Sequence, residues 1–196
     1  VVCNAYNLID GIDGQAGIQA LSVFIFLAGF LMHLIYTTNV LNLDSFFANA
    51  NFWMIAFVAI IGSIVGFLVF NWQPAKIFMG DTGSLTIGGI IGVIAILIHK
   101  EILLILLCGV FVAENLSVIM QVAYFKQGKK RGVKQRIFRR TPLHHHYNVE
   151  DEKLDKECTY IFKGPERPLH EAKITLRFWI VTIIMAVITI LTLKIR

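Results

Sequence analysis

Charge is scarce in this sequence: 16% of the residues are charged and 56% are hydrophobic, with a mean hydropathy of +0.68. A soluble domain of this length cannot carry that much apolar surface, so the composition excludes a soluble protein and places the chain in a membrane. Cysteine is scarce too. Cys3, Cys108 and Cys158 stand apart with no metal-ligand spacing, which gives no sign of a zinc site, and all three are read as reduced and structural. Acidic residues are outnumbered, 13 against 18 basic, for a formal net charge of +5. In a soluble protein that would favour nucleic acid, but nearly all the excess lies in residues 126 to 140. Such a local block points to membrane topology or phosphate binding, and no nucleic-acid partner is expected. Also missing are a signal peptide and an initiator methionine. Val1-Val2-Cys3-Asn4 runs straight into a polar motif, and the chain is expected to be the later part of a longer protein.

What the sequence does have is long apolar runs. Crossing the hydrocarbon core takes about 20 apolar residues in a helix, and the stretches 16–36, 52–71, 83–99, 102–124 and 175–194 come close to that length. The expected fold is all-α and polytopic, a single integral-membrane unit over 1–196 with five membrane helices and a polar loop over 125–172. Lys126, Lys129, Lys130, Arg131, Lys134, Arg136, Arg139 and Arg140 crowd the segment after the fourth span, which makes it cytoplasmic by the positive-inside rule. Counting back, the turn at His99-Lys100-Glu101 and the 37–51 loop lie outside. The 72–82 loop and the N-terminal motif lie inside, and Lys194 and Arg196 fall outside against the rule. All the polar motifs then share one membrane face, as a single active site between helices requires.

The first motif is Asn4-Ala-Tyr-Asn7-Leu8-Ile-Asp10-Gly11-Ile-Asp13-Gly14. Steps of three on a straight helix would put Asn4 and Asp13 on opposite faces, so the helix has to stop or bend, and Gly11 and Gly14 permit it. Such an oxygen-rich terminus suits Mg²⁺ or the base and ribose of a nucleotide; caps and turns are the plainer reading of any one of these side chains. The second motif, Asn71-Trp-Gln-Pro-Ala-Lys-Ile-Phe78-Met-Gly80-Asp81-Thr82-Gly83-Ser84, sits where a cytoplasmic loop re-enters the membrane. With Asp81 or Thr82 as N-cap, its free amides and a carboxylate-borne magnesium ion suit a diphosphate. Glu114 and Gln121 interrupt the fourth span on one face; they either line the site or tie helices together. The third motif, Arg136-Ile-Phe-Arg139-Arg140-Thr-Pro142-Leu-His144-His145-His146-Tyr147, is not a zinc pattern, because adjacent side chains diverge. Its histidines and arginines make sense as donors to phosphate or sugar, and Lys126 to Lys134 as contacts to anionic membrane lipids.

Together the three motifs resemble the polyprenyl-phosphate N-acetylhexosamine-1-phosphate transferases over the whole chain. Phe78-Met-Gly-Asp81-Thr-Gly-Ser-Leu, Glu114 to Gln121 and Pro142-Leu-His-His-His resemble the muramoyl-pentapeptide branch. The resemblance implies the second half of a ten-helix inner-membrane enzyme, possible as a homodimer, with its site on the cytoplasmic face. It would transfer phospho-N-acetylmuramoyl-pentapeptide from UDP to polyprenyl phosphate, releasing UMP. It further implies Mg²⁺ on Asp81 and Asn7, and catalytic roles for Asp10, Asp13, Asp81 and His144, His145 and His146. Substrate contacts are implied for Asn4, Leu8, Gly11, Asn71, Phe78, Glu114, Gln121, Arg136 and Arg139, with Phe78 stacking on the base. Ile9 and Gln15 stand where that branch has Thr and Leu, and residues 148–170 extend the loop. Ile9 and Gln15 lean toward a relative acting on UDP-N-acetylglucosamine, and the Pro142-Leu-His-His-His run leans against it. A transporter using Glu114 is the more distant alternative, and no internal repeat supports it.

Overall fold

The computed structural model describes residues 2–40, 50–97, 101–130, 132, 135–148, 158–165 and 167–194. Residues 41–49 of the expected outer loop, His99 and Lys100, the basic residues Arg131 and Lys134, and 149–157 of the extension lie outside them. The helices are α1 (Val2–Asn7), α2 (Gln15–Val40), α3 (Ala50–Asn71), α4 (Gly80–Leu97), α5 (Glu101–Leu107), α6 (Gly109–Lys130), α7 (Leu143–Asn148) and α8 (Glu171–Lys194). Two short strands, β1 (Gln135–Arg136) and β2 (Thr159–Tyr160), pair in parallel. The architecture is all-α and polytopic, as the apolar runs require.

Four helices among the described residues are long and apolar enough to cross a membrane, within α2, α3, α4 and α8. The expected fourth span over 102–124 differs. It is two helices, α5 and α6, meeting at Cys108 and Gly109. Hydrogen bonds from Cys108 N to Leu104 O and from Val112 N to Cys108 O carry the path across the break. α6 carries Glu114, Asn115 and Gln121 and ends on Lys129 and Lys130, so it is too polar for a lipid-facing span. The pair still returns the chain to the end it left. α4 leads away from Asp81 over 18 residues, about 27 Å at helical rise, and α6 brings it back to β1.

Side-chain size sets the packing. A fully buried cluster of Tyr6, Ile9, Val23, Phe24, Ile91 and Phe111 joins α1, α2, α4 and α6, and the Tyr6 and Phe111 rings meet edge to face at 5.4 Å. Outward positions are apolar as well: Ile55, Val58 and Val69 on α3 and Ile180, Ile184 and Leu191 on α8 are exposed. Contiguous bare aliphatic surface on long helices belongs against lipid. Between α2 and α8 the contacts are polar instead, Thr182 donating to Gln19 and Trp179 Nε1 to Ser22 Oγ at 3.0 Å, which holds these helices together where apolar faces alone give no preference over lipid.

Candidate active site

The first motif folds as a helix, a turn and a new helix. α1 ends at Asn7, residues 8–14 turn, and α2 begins at Gln15 behind Gly14, whose φ is 72°. Asn7 and the start of α4 then meet: Asn7 Nδ2 donates to Asp81 Oδ1 and to Ser84 Oγ, both at 2.9 Å. The approach depends on Gly88, where a Cβ would stand 2.7 Å from Cys3 Cα. Neither Asp81 nor Thr82 is the N-cap that the spacing predicts. α4 starts one residue earlier, at Gly80 with φ 65°, which places Asp81 in the first helical turn with its side chain exposed.

Asp10 faces the same spot from the turn. Burial lifts its carboxyl above the usual range, the Gly80 backbone amide pulls it back, and the charge of Asp81 lifts it again. Two carboxylates, the Asn7 amide and a helix N-terminus therefore converge, a donor set suited to a hard cation and to phosphate. Among the described residues no three His, Cys, Asp or Glu side chains form a metal cage. Magnesium does not need one, since it commonly takes one or two carboxylates and completes its shell with water and substrate phosphate.

Asp13 and Asn71, expected at the ligand, are engaged in the frame. Asp13 Oδ2 accepts from Ala75 N at 2.9 Å; Asn71 Oδ1 accepts from Gly14 N at 3.1 Å, and its Nδ2 donates to Ile77 O at 2.8 Å. Both therefore pin the 72–79 loop to the first motif. That loop presents Phe78 outward, 73% exposed, which leaves its ring face open for stacking. Leu8 is half-buried in the turn and Asn4 is exposed on α1.

The third motif docks on the first. α7 lays the His144 ring against Gly11, where a Cβ would lie 2.3 Å from Nε2. The dock is held from α6. Glu114 accepts from Leu143 N, from His144 N at 3.2 Å and faces His144 Nδ1 at 3.2 Å. Gln121 Oε1 accepts from Ile137 N and Phe138 N, both at 3.0 Å, and its Nε2 donates to Phe138 O at 3.1 Å. Of the two readings open for this pair, tying elements together is the one the geometry shows. Both side chains are buried and bonded to the histidine loop.

The remaining members of the motif shape the loop. The Arg136 guanidinium lies over the Phe125 ring at 5.1 Å, and Arg139 donates to Pro165 O at 3.2 Å. Phe138 stacks on Phe162 at 5.6 Å and meets His146 at 5.4 Å. His146 Nδ1 accepts from Arg139 N at 3.1 Å. Burial, then the His144 and Arg140 charges, hold His145 down to about 4; burial and Arg139 lower His146 likewise. Both rings are therefore neutral at pH 7, and what they offer is hydrogen bonds.

Two participants were not singled out from the sequence. Ser84, fully buried under Asn7, was passed over as a cap of the Gly-Asp-Thr-Gly-Ser run. Glu171 opens α8 and joins distant parts of the site end, taking Asn148 Nδ2 at 3.1 Å and lying 3.5 Å from Asp13 N; Thr175 Oγ1 adds a bond to Asp13 O at 3.1 Å. An acidic residue in the first turn of the last span was its only signal.

Residues 1–99 match the model of glycosyl transferase family 4. Over its full length the chain is 51% identical to the phospho-N-acetylmuramoyl-pentapeptide-transferase of Phocaeicola vulgatus and 49% to that of Bacteroides thetaiotaomicron, covering 46% of each. It is 46% identical to the same-named protein of Flavobacterium psychrophilum, covering 44%. The chain thus spans about half the length of the curated relatives it matches.

Proposed function

The chain belongs to glycosyl transferase family 4, and from that membership we propose that it serves the transfer of phospho-N-acetylmuramoyl-pentapeptide from its UDP carrier to polyprenyl phosphate, with release of UMP. The observation that carries the reading is the meeting of three distant motifs at one end of a membrane bundle: Asn7 on Asp81, Gly14 on Asn71, and His144 on Gly11. An oxygen of the lipid phosphate attacks the sugar-linked β-phosphorus, and the leaving group is UMP. As in phosphoryl transfer generally, the protein's work is positioning and charge neutralisation.

Each part of the site has a task in that reaction. Asp81 and the Asn7 side chain would hold Mg²⁺, which would supply neutralisation of diphosphate charge. The Gly80 end of α4 offers backbone amides to phosphate oxygens, and Asp10 orders this corner from the opposite side. Phe78 stacks on the uracil ring. Asp13 and Asn71 act indirectly, by holding the loop that carries Phe78. An apolar cavity of about 270 Å³ between α1, α5 and α6, lined by Ala5, Leu104, Cys108 and Phe111 among others, suits a prenyl chain reaching the site from the membrane. Lys129 and Lys130 at the end of α6 and Arg136 on β1 lie at the site end, which favours the cytoplasmic face of the inner membrane.

The leaning toward UDP-N-acetylglucosamine rested on Ile9 and Gln15. Both are fully buried, at 0% exposure, which favours a packing role over contact with the sugar. The test uses the full-length polypeptide in detergent with polyprenyl phosphate. UMP release is expected from UDP-N-acetylmuramoyl-pentapeptide, dependent on Mg²⁺ and absent with UDP-N-acetylglucosamine. Release from the second alone would move the chain to the polysaccharide enzymes, and release from neither would refute a transferase.

A further inference from the structure

Glu114 is fully buried on α6, as is His144 on α7. A carboxylate held this deep needs donors, since leaving it unpaired costs several kcal/mol or more. It has three: the backbone N–H groups of Leu143 and His144, and the ring nitrogen Nδ1 of His144. The carboxylate can only accept, so the contact at Nδ1 defines the ring. Facing an ionised carboxylate, Nδ1 would carry the proton, and Nε2 is the nitrogen turned away from Glu114. That atom is buried and has no hydrogen-bond partner among the described residues. It is pressed against Gly11, on the turn that also carries Asp10, and only the absence of a side chain at Gly11 makes room for it.

We propose that Glu114 is a positioning residue of the transfer: it fixes His144 with the proton on Nδ1, so that Nε2 is the nitrogen presented at the Asp10–Gly11 turn when the nucleotide sugar binds. The inference rests on the transferase reading for its kinetic arm alone. A buried ring nitrogen without a partner is unfavourable, and its position at the turn between the first and third motifs is where a ligand polar atom would complete it. Glu114 never touches the ligand; it acts through the ring, as carboxylates behind metal-bound or catalytic histidines do. The two backbone bonds serve the same end, because they fix the start of α7 and hence the direction of the ring. Glutamine cannot replace it. Either orientation of its amide sets an NH₂ group against a backbone N–H that the carboxylate accepts.

The test uses the full-length protein labelled with ¹⁵N-histidine, the His144 signals being assigned by their loss in His144→Gln. Nδ1 of the unsubstituted protein is expected to be protonated, and an unprotonated Nδ1 overturns the proposal without any activity measurement. In Glu114→Gln one amide orientation leaves no acceptor at Nδ1, so the share of His144 protonated there is expected to fall, with kcat for UMP release down about 10- to 100-fold and KM for the nucleotide sugar within about threefold. In a His144→Gln background the same Glu114 change should add less than about threefold, since the ring through which it acts is gone. Independent, multiplying losses, or a lower Tm with unchanged kcat, would make Glu114 merely structural. Should Glu114→Gln fail to fold, the protonation of Nδ1 in the unsubstituted protein decides alone. An unsubstituted protein that releases no UMP would defeat the transferase reading and leave the nitrogen measurement valid.

Discussion

His145 illustrates what burial does to a residue chosen for its charge. Its ring lies 4.3 Å from that of His144, and burial, then the neighbouring His144 and Arg140 charges, take its pKa from 6.5 to about 4. Between those two values the unfolded chain binds a proton that the folded chain refuses. Stability contributed by this site is therefore complete above pH 6.5 and falls as the pH drops toward 4. The Tm of the full-length protein in detergent should fall over that interval, and it should fall less in His145→Gln. An identical pH profile for the two proteins would mean the ring is not held neutral. His144, one position earlier, is turned against Gly11 and Glu114 instead. Adjacent histidines that look alike in sequence thus have separate surroundings, and nothing in a run of three histidines distinguishes them.

At the scale of elements, α6 is the member that reads least well from sequence. Its apolar residues made it part of a membrane span, and its Glu114 and Gln121 looked like interruptions of that span. They are instead the docking points for a loop more than fifteen residues further along. Both sit on one face of the helix, as a spacing of seven requires, and that much was legible. Which partner faced them was not, because helical periodicity specifies a face and says nothing of what covers it. Removing Gln121 takes away the partner of two amides and one carbonyl at once, a loss of about 1–3 kcal/mol for each group left buried and unpaired. Gln121→Leu should leave the helix content by circular dichroism unchanged while trypsin cuts after Arg136 and Arg139 several-fold faster. Unchanged cleavage would show that the β1–β2 pairing and the Phe138–Phe162 stack hold the loop without it.

For the whole molecule the decisive property is that α2, α4 and α8 each begin, and α3 and the α5–α6 pair each end, at the same end of the bundle, where the three motifs meet. If that end is cytoplasmic, Lys129→Cys, at an exposed position on α6, reacts with a membrane-impermeant maleimide in inside-out vesicles and not in intact cells. The opposite labelling would invert the orientation argued from the basic block. The sequence by itself determined that the chain lives in a membrane, that it is helical, where four of its spans run, and which segments carry the chemistry. All of these follow from local composition and spacing, which the solvent reads directly. Only the tertiary structure decided which polar side chains hold the frame of the site. Asp81 stays exposed while it accepts from Asn7, and Phe78 is exposed beside it, whereas Asp13, Asn71, Glu114 and Gln121 bond the loops to one another. The physical reason is that a carboxylate or amide is equally suited to either task, and the outcome depends on which donors the fold brings within about 3 Å of it.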